Sequence, residues 1–336
     1  MRELRSAHEH RFLVTGAYGC IGAWVLRELL AAGAYVVAAD IAEDSPRLGL
    51  VLDDELRERL LREVLDITDL SSLERVLDDH AITRIIHLAA LQVPFCRADP
   101  PLGAAVNVVG TVNVLEAARR RRERIGHVTY ASSIAAYDGA DGVAGVSMSD
   151  VPATLYGVYK RAGEQAATRY WLDESLASIG LRPHTVFGPA RDQGLTSAPT
   201  MAMLAAAAGR PYAIPYGGRA QFQYAPDVAR AFVQAALVEH ESASVYNLRG
   251  SVCSIADVVD AILAACPEAD GSITWTETAL GFPPQVDSDG LEEAIGPLEE
   301  TPLAAAVADT IARFRVALAD DRLDPAVLDG HVRAAS

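Results

Sequence analysis

The sequence predicts an α/β protein with a doubly wound parallel sheet and a smaller C-terminal lobe that binds substrate. Short β-rich runs alternate with longer stretches rich in Ala, Leu and Arg, as in a parallel sheet covered by helices. Glycines at positions 16, 19 and 22 separate the first β-rich run from the first helix. After Gly188-Pro189 the chain becomes rich in Gly, Pro, Gln, Ser and Tyr, which indicates a second structural unit.

Strands and helices are predicted in alternation over residues 1–189, which we assign to a nucleotide-binding core. The predicted strands are Arg11–Thr15, Tyr35–Asp40, Glu63–Leu65, Arg84–Leu88, His127–Ser132 and Leu181–Phe187. The predicted helices are Ile21–Ala32, Glu55–Leu61, Leu70–Asp79, Leu102–Arg122 and Leu155–Ser178. Gly33 is placed to end the first helix. The polar, Gly-rich stretch Asp138–Ser149 is predicted to be a loop.

Residues 190–336 are predicted to form mainly the substrate-binding lobe, with residues 225–250 returning to the core. The predicted helices are Met201–Ala208, Asp227–Leu237, Ile255–Ala265 and Pro302–Leu318, and the predicted strands are Ser244–Leu248 and Ile273–Thr276.

The charge balance excludes some classes of partner. The chain has 336 residues, with 29 basic and 45 acidic side chains and a formal net charge of −16. Lys160 is its single lysine. This balance argues against binding to nucleic acid or to an anionic membrane surface. The four cysteines have no metal-ligand spacing, and we find no signal peptide and no charge-free membrane span. We therefore expect a cytoplasmic protein without a metal site.

The glycine turn predicts a dinucleotide site. It reads Thr15-Gly16-Ala17-Tyr18-Gly19-Cys20-Ile21-Gly22, directly between a predicted strand and a predicted helix. Gly16 would allow the tight turn, Gly19 the approach of a pyrophosphate, and Gly22 the close packing of helix on strand. The helix N-terminus supplies N–H donors. The cofactor residues expected here are Gly16, Tyr18, Gly19, Cys20, Ile21 and Gly22.

Carboxylates at later strand ends extend this site. Asp40 ends the second strand, where it can bind both ribose hydroxyls and repel a 2′-phosphate, so we expect NAD and not NADP. Asp40 could instead cap a turn. Asp66 and Ile67 can hold the adenine edge, although Asp66 could equally be a helix N-cap. Four further residues are assigned to the cofactor site at the fourth strand and the next helix: Leu88, Ala89, Ala90 and Asn107. Asn107 could alternatively order the active-site helix.

Tyr156 and Lys160 lie four residues apart on a predicted helix, and therefore on one face. A tyrosine is a poor base at neutral pH, but a nearby ammonium favours the phenolate. Lys160 can also reach the nicotinamide ribose. Ser133 follows the fifth strand, where its hydroxyl can bind the reacting oxygen of a substrate. We predict Ser133, Tyr156 and Lys160 as catalytic residues; both Ser132 and Ser133 could alternatively form a turn.

The chain resembles an extended short-chain dehydrogenase/reductase of the NAD-dependent epimerase/dehydratase family, over about residues 11–316. The matching segments are TGAYGCIG (15–22), Asp40, DITD (66–69), HLAA (87–90), NVVGTVNVLEAA (107–118), YASSIAAY (130–137), YGVYK (156–160), RPHTVFGP (182–189), Tyr224 with Asp227-Val228-Ala229, and VYNLRG (245–250). The resemblance implies a Rossmann core and hydride transfer to NAD, assisted by the Ser, Tyr and Lys named above. It also implies a homodimer through helices 102–122 and 155–178.

Departures from the family pattern reduce the number of reactions that this chain is expected to catalyse. Ile134-Ala135 stands where dehydratases of this family carry an Asp-Glu pair, so we expect no dehydration. Two kinds of reaction are left: epimerisation through a transient ketone, and net oxidation or reduction of a carbinol. An intact catalytic set argues against a non-catalytic NAD-binding regulator.

The same comparison bears on the substrate. Thr185 and Ala220-Gln221 replace the Asn and Arg that usually hold a nucleotide diphosphate in this family. We therefore expect a sugar, sugar acid or other polyol that is not attached to a nucleotide. Arg191 could bind a carboxylate or phosphate, or could pair with Asp192. The candidate substrate residues are Gln92, Ser132, Thr185, Arg191, Thr196 and Gln223.

Overall fold

The computed structural model describes residues 4–137, 151–280 and 283–329. The strands are β1 Arg11–Thr15, β2 Tyr35–Asp40, β3 Leu61–Val64, β4 Arg84–His87, β5 His127–Ala131, β6 Ala177–Arg182, β7 Thr185–Phe187, β8 Tyr212–Ile214, β9 Arg219–Tyr224, β10 Ala243–Asn247, β11 Ser251–Ser254 and β12 Ile273–Trp275. The helices are α1 Cys20–Ala31, α2 Pro46–Val51, α3 Asp54–Glu58, α4 Leu70–Asp79, α5 Val93–Ala98, α6 Pro100–Ala104, α7 Gly110–Arg119, α8 Leu155–Glu174, α9 Ala198–Ala207, α10 Ala225–Leu237, α11 Ile255–Ala265, α12 Leu291–Ile295 and α13 Leu303–Ala319.

A seven-stranded parallel sheet forms the centre of the molecule, in the order β10-β6-β5-β4-β1-β2-β3. β1 lies between β2 and β4, with Leu13 opposite both Val37 and Ile85. The order changes direction at β1, as in a doubly wound sheet. The predicted fold class, a Rossmann-type α/β protein, is confirmed.

Side chains alternate between the two faces of this sheet. Phe12 and Val14 join a buried cluster with α1 and α10 on one face. Leu13 joins a second cluster with α4, α7 and α8 on the other face. The central strands β1, β2, β4, β5 and β6 are therefore buried between the two layers, whereas the edge strand β3 is largely exposed.

The later segments form a separate, third hydrophobic cluster around two small sheets, β11-β9-β7 and β12-β8. Helices α9, α11 and α13 pack together in this cluster. Met201, Phe222 and Phe314 are among its buried residues. α10 and β10, both within 225–250, instead pack with the large sheet.

The predicted sixth strand Leu181–Phe187 was wrong. β6 starts four residues earlier, at Ala177, and ends at Arg182. Pro183 has no N–H to continue the strand. Thr185–Phe187 then pairs with β9 in a different sheet. The preceding helix, predicted to reach Ser178, was predicted too long. α8 ends at Glu174, where Ser175 adopts a left-handed conformation with φ 55°, and β6 begins at Ala177.

The other predicted elements differ less from the observed ones. The predicted helix Leu102–Arg122 runs from Pro100 to Arg119 with a π turn at Ala105–Val109. The predicted helix Glu55–Leu61 is the shorter α3, capped by Asp53, so that β3 begins at Leu61. The elements that were not predicted are α2, α5, α12, β8, β9 and β11. The loop predicted over Asp138–Ser149 lies outside the described residues.

Among the described residues, one helix is long and apolar enough to cross a membrane, Pro100–Arg119. A core helix of this composition passes the same test, so the finding is weak evidence for a span. Its residues Val114, Leu115 and Ala118 are buried in the cluster against the large sheet.

We expect Phe232→Ala to destabilise the fold strongly. Phe232 on α10 is fully buried in the cluster that includes α1. Truncating a buried Phe to Ala removes apolar contacts and leaves a cavity, which lowers the free energy of unfolding by about 3–5 kcal/mol. Val316→Ala on α13 is the control, since Val316 is half exposed. Chemical denaturation of both variants measures the difference, and equal losses would contradict the packing described.

Candidate active site

A cavity of about 600 Å³ opens where β1, β4 and β5 end. The glycine turn lines it on one side, and Ser133, Tyr156 and Lys160 line it on another. Carboxyl ends of parallel strands meet at one edge of a sheet, which is why residues distant in sequence converge here.

The geometry of the glycine turn fits a dinucleotide. Gly16 has φ +65°, and a Cβ there would lie 2.5 Å from the backbone nitrogen of Ala89. A Cβ at Gly22 would lie 2.3 Å from the carbonyl oxygen of Gly16. Gly19 is the N-cap of α1 and offers no side-chain acceptor, so the first-turn N–H groups are left for a pyrophosphate.

Asp40 is held at the rim of the cavity. Its Oδ2 accepts a hydrogen bond from the Tyr18 N–H at 3.0 Å and its Oδ1 accepts one from the Ile41 N–H at 2.8 Å. These bonds orient the carboxylate where ribose hydroxyls would lie. Cys20 and Ile21 also line the cavity. Burial raises the pKa of the Cys20 thiol to about 12, so it stays protonated.

Asp66 and Ile67 line the same end of the cavity. Asp66 is not the cap of α4: its Oδ1 accepts from the N–H and hydroxyl of Thr68, while Asp69 caps the helix. The loop 88–90 after β4 lines the cavity too, next to Gly16.

Asn107 does not line the cavity. Its amide binds both the N–H and the C=O of Leu91 at 2.9 Å and donates to the Cys96 sulfur. All of its polar atoms are therefore used to fix the loop at Leu91, which borders the cavity. This geometry favours the alternative in which Asn107 orders the site without touching the cofactor.

Two local features place Tyr156 beside Ser133. Thr154 caps α8 by accepting from the Gly157 N–H at 3.1 Å. A Cβ at Gly157 would lie 2.0 Å from the Ala135 carbonyl, so only glycine lets α8 pack this closely on the segment after Ser133. Sequence reasoning missed Gly157, although it stands directly after the chosen tyrosine.

The electrostatics of Tyr156 differ from expectation. Burial raises its pKa, and a hydrogen bond with Ser133 and the charge of Arg191 lower it in part. The Lys160 Nζ is 5.7 Å from the centre of the Tyr156 ring and donates to the Ala131 carbonyl at 2.7 Å. Two cations therefore lie near Tyr156: Lys160 close to its ring, and Arg191, whose charge lowers the pKa of the hydroxyl.

Burial also lowers the pKa of Lys160 from 10.5 to about 8, and Cys96 and Glu164 raise it in part. The side chain is only 7% exposed. Loss of hydration disfavours the ammonium, so its pKa falls toward neutrality. Below about pH 8 Lys160 carries its charge into the cavity.

A buried ion pair lies behind these residues. Glu164, one turn after Lys160, accepts bonds from Arg182 at 2.6 Å on each carboxylate oxygen and one from the Ser132 hydroxyl. Arg182 also donates to the Tyr137 hydroxyl, which donates to Asn247 at 2.8 Å. The pair joins α8 to the ends of β5, β6 and β10. Neither side chain was singled out from the sequence, since pairing across 18 positions has no local signal.

The predicted substrate residues divide into two groups. Four of them line the cavity: Gln92, Ser132, Arg191 and Thr196. Thr185 does not, because it lies in β7 and bonds His184. Gln223 does not, because its amide is used by the His184 N–H at 2.7 Å and the Leu248 carbonyl at 2.8 Å.

The alternative pairing of Arg191 with Asp192 is wrong. Asp192 pairs with Arg47 at 2.7 Å. Arg191 donates to Thr196 at 3.1 Å instead.

His87 is a packed histidine and not a ligand or a base. It is bonded at 2.7 Å to Thr15 and at 3.1 Å to Thr111, and burial lowers its pKa to about 3, so it stays neutral. The described residues contain no group of three or more His, Cys, Asp or Glu side chains that could hold a metal ion.

A parallel sheet with a glycine turn and a Ser-Tyr-Lys set at one edge defines an NAD-binding enzyme of the short-chain dehydrogenase/reductase class. Residues 12–248 match the profile of the NAD dependent epimerase/dehydratase family, and the chain belongs to this family. The enzyme class and the NAD cofactor expected from the sequence are confirmed.

Several curated relatives are nucleotide-sugar epimerases by name. A UDP-glucose 4-epimerase of Mycolicibacterium smegmatis is 34% identical over 67% of this chain and 72% of its own length. UDP-glucuronate 4-epimerase 1 of Arabidopsis thaliana is 33% identical over 55% of this chain and 45% of its own length. The chain spans about half the length of several relatives that it matches, among them this one.

Solved structures share the fold over nearly the whole chain. A partial consensus L-threonine 3-dehydrogenase has a TM-score of 0.76 and 25% identity, covering 91% of this chain and 99% of its own. MoeE5, solved with UDP-glucose and NAD, has a TM-score of 0.71 and 28% identity, covering 92% and 99%. The chain is therefore similar to proteins that are named for two different activities, epimerisation and dehydrogenation.

We expect Gly22→Ala to impair NAD binding. The added methyl would overlap the Gly16 carbonyl and displace the turn that presents N–H groups to the pyrophosphate. Loss of one charged hydrogen bond would weaken NAD affinity about tenfold to hundredfold. Gly163→Ala on α8 is the control, since a Cβ there makes only an ordinary contact with Thr111. Calorimetric titration with NAD gives the affinities, with circular dichroism to verify folding; unchanged affinity in the folded Gly22→Ala protein would refute the assignment.

The single lysine permits a direct test of its pKa. Protein labelled with carbon-13 lysine gives one side-chain signal, that of Lys160. In the protein without cofactor we expect a titration midpoint near pH 8 instead of 10.5. Glu164→Gln should lower the midpoint further, because the carboxylate favours the ammonium. Glu292→Gln, at an exposed pair with Arg249, should leave it unchanged. A midpoint near 10.5 would show that Lys160 is hydrated, contrary to this structure.

Proposed function

We propose that this protein epimerises a carbinol carbon of a carbohydrate derivative through a transient ketone, using NAD that stays bound. The observation that carries the proposal is that Ser133, Tyr156 and Lys160 converge in the cavity that also contains the glycine turn, where Ser133 lowers the pKa of Tyr156. These groups are the ones needed to move a hydroxyl proton while a hydride leaves the same carbon.

Each residue has a separate task in this proposal. Ser133 binds the reacting oxygen of the substrate, and Tyr156 removes its proton and later returns it. Bound NAD supplies the hydride acceptor and donor. Lys160, fixed by the Ala131 carbonyl, places a positive charge near the tyrosine ring and would hold the ribose of the cofactor. The charge of Arg191 lowers the pKa of Tyr156, which favours proton removal.

The residues around Tyr156 argue against dehydration. Among the described residues that line the cavity, the carboxylates are Asp40, Asp44 and Asp66. All three follow β2 or β3, at the adenosine end. Ile134 and Ala135 lie next to Ser133 and carry no group that could protonate a leaving hydroxyl.

The expectation of a substrate that is not attached to a nucleotide stays a prediction. It was based on Thr185 and Ala220-Gln221, and none of these residues lines the cavity. Since the relatives are named for UDP-sugars, UDP-glucose and UDP-glucuronate are the first substrates to test.

A net dehydrogenase is the second candidate, favoured by the likeness to a threonine dehydrogenase. An epimerase returns the hydride, so purified protein should retain NAD and show no lasting absorbance change at 340 nm during turnover. Steady formation of NADH would favour the dehydrogenase.

A homodimer and a cytoplasmic location stay predictions. The two helices expected at the dimer interface expose Leu102, Val109 and Leu172. Such apolar side chains fit an interface between copies. The four cysteines form no disulfide, which fits a reducing compartment.

We expect Tyr156→Phe to lower kcat by about 10²–10⁴, the contribution typical of general acid–base catalysis, with little change in NAD affinity. Tyr159→Phe is the control, since the Tyr159 hydroxyl donates to the Pro100 carbonyl and lies outside the cavity lining. Proton NMR of UDP-glucose and UDP-glucuronate, and absorbance at 340 nm with L-threonine, measure the two activities. Full activity in Tyr156→Phe would make the catalytic assignment wrong.

A further inference from the structure

An ion pair joins two walls of the active-site cavity. One wall contains most of residues 40–47, which follow β2, and the other contains most of residues 191–196, which follow β7. The Nε and Nη2 of Arg47 in the first wall both bond to the Oδ1 of Asp192 in the second, at 2.8 and 2.7 Å. Because the two residues are 145 positions apart in the chain, the pair closes the structure across the cavity and is not part of a local turn.

Arg47 is also attached to the glycine turn. Its Nη1 donates to the Tyr18 carbonyl at 3.3 Å, and the N–H of Tyr18 donates to Asp40. One guanidinium therefore connects the loop after β7 with the turn expected to hold the pyrophosphate and with the carboxylate expected to hold the adenosine ribose. A dinucleotide that binds both of them occupies the cavity whose two walls this guanidinium joins.

The first wall belongs to a strap, residues 41–52, which is packed at its far end. There Leu48 joins the buried cluster against α1, and Arg27 and Arg322 donate to strap carbonyls at 2.7 and 2.9 Å. Residues 41–44, at the near end, are exposed instead. Segments with few buried contacts open at a low cost in free energy. The ion pair is therefore the attachment that holds the near half of the strap against the second wall.

The second wall is fixed by its own backbone. Ala190 has φ +74°, a left-handed conformation that few residues other than glycine adopt. Such a conformation persists only where the surroundings impose it. Here the Trp24 indole of α1 donates to the Pro189 carbonyl at 3.0 Å and holds this segment. Asp192 therefore stands on a fixed loop, and the strap is the side that moves when the pair opens.

We propose that the Arg47–Asp192 pair is a latch that closes the cavity over bound NAD, so that the cofactor stays between the oxidation and the reduction of one turnover. This inference rests on the proposed function, since an epimerase must return the hydride before NADH leaves. The two side chains have exposed fractions of 19% and 33%, so the pair is stronger than a fully hydrated one. Water and salt still reach it, so it opens and lets the cofactor exchange.

The release of NADH measures the latch without turnover. Protein loaded with NADH is mixed with a large excess of NAD, and the change in NADH fluorescence gives the dissociation rate. We expect Asp192→Asn to speed release about fivefold to thirtyfold, as for the loss of a partly buried, charge-assisted pair. Arg47→Gln should have the same effect and the double variant no larger one, because either change opens the same pair. Asp192→Glu should retain part of the slow release.

Salt and a distant ion pair provide the controls. Raising the salt concentration should speed release from the wild-type protein more than from Asp192→Asn, since only the wild type has a pair to screen. Arg249→Gln breaks an exposed pair with Glu292, outside the cavity lining, and should leave the dissociation rate unchanged. Circular dichroism and the denaturation midpoint verify that each variant is folded.

The outcomes separate a latch from direct binding of the cofactor. Asp192 does not line the cavity, so faster release in Arg47→Gln but not in Asp192→Asn would mean that Arg47 binds NAD itself, and the latch would be overturned. Wild-type rates in both variants, or additive effects in the double variant, would overturn it as well. Latch-dependent release together with net formation of NADH from substrate would instead contradict epimerisation and leave the control of cofactor exchange by this pair standing.

Discussion

The buried ion pair between Glu164 and Arg182 is the interaction on which the active site depends most. Both side chains are almost fully buried, and each satisfies the charge of the other through two hydrogen bonds of 2.6 Å. Because an isolated charge in this position would be strongly unfavourable, the pair holds α8 in one position against the end of β6. Lys160 lies one turn before Glu164 on α8, and Tyr156 one turn before that. Because these three residues lie on one side of α8, the ion pair that fixes Glu164 also fixes where Tyr156 and Lys160 lie.

The same pair connects the two parts of the molecule. Arg182 continues to Tyr137, Asn247 and the Asp287 backbone, so one chain of hydrogen bonds runs from β5 to a segment packed beside the smaller lobe. Ile134, Tyr137 and Val286 pack together alongside it. Ser132 and Tyr137, which lie on either side of Ser133, are therefore both held by this network. This rigidity suits proton and hydride transfer, which tolerate little misplacement.

Charge is distributed unevenly along the cavity. The carboxylates that line it are Asp40, Asp44 and Asp66, near the glycine turn and β2 and β3, whereas Lys160 and Arg191 lie near Tyr156. A third cation in the lining, Arg47, is paired with Asp192. Because the net charge of −16 repels anions at long range, any anionic group in the cavity depends on such local cations.

The sequence by itself determined the parts of the site that depend on local spacing. The glycine turn, the four-residue interval from Tyr156 to Lys160 and the position of Ser133 after a strand each follow from short-range geometry, and the structure brings them to one cavity. The alternation of strands and helices was also sufficient for the fold class, because both faces of a parallel sheet must be covered.

Only the tertiary structure decided the rest, since those features depend on partners far away in the chain. Pro183 divides a stretch that reads as one strand, and the paired strand β9 then removes Thr185 from the cavity. Arg47, remote in sequence, takes Asp192 and thereby leaves Arg191 without a counter-ion. Glu164 and Arg182 carry no local sign of their pairing. A charge or amide in a sequence has no defined role until folding has assigned its partners, and here that assignment determines which residues face the substrate.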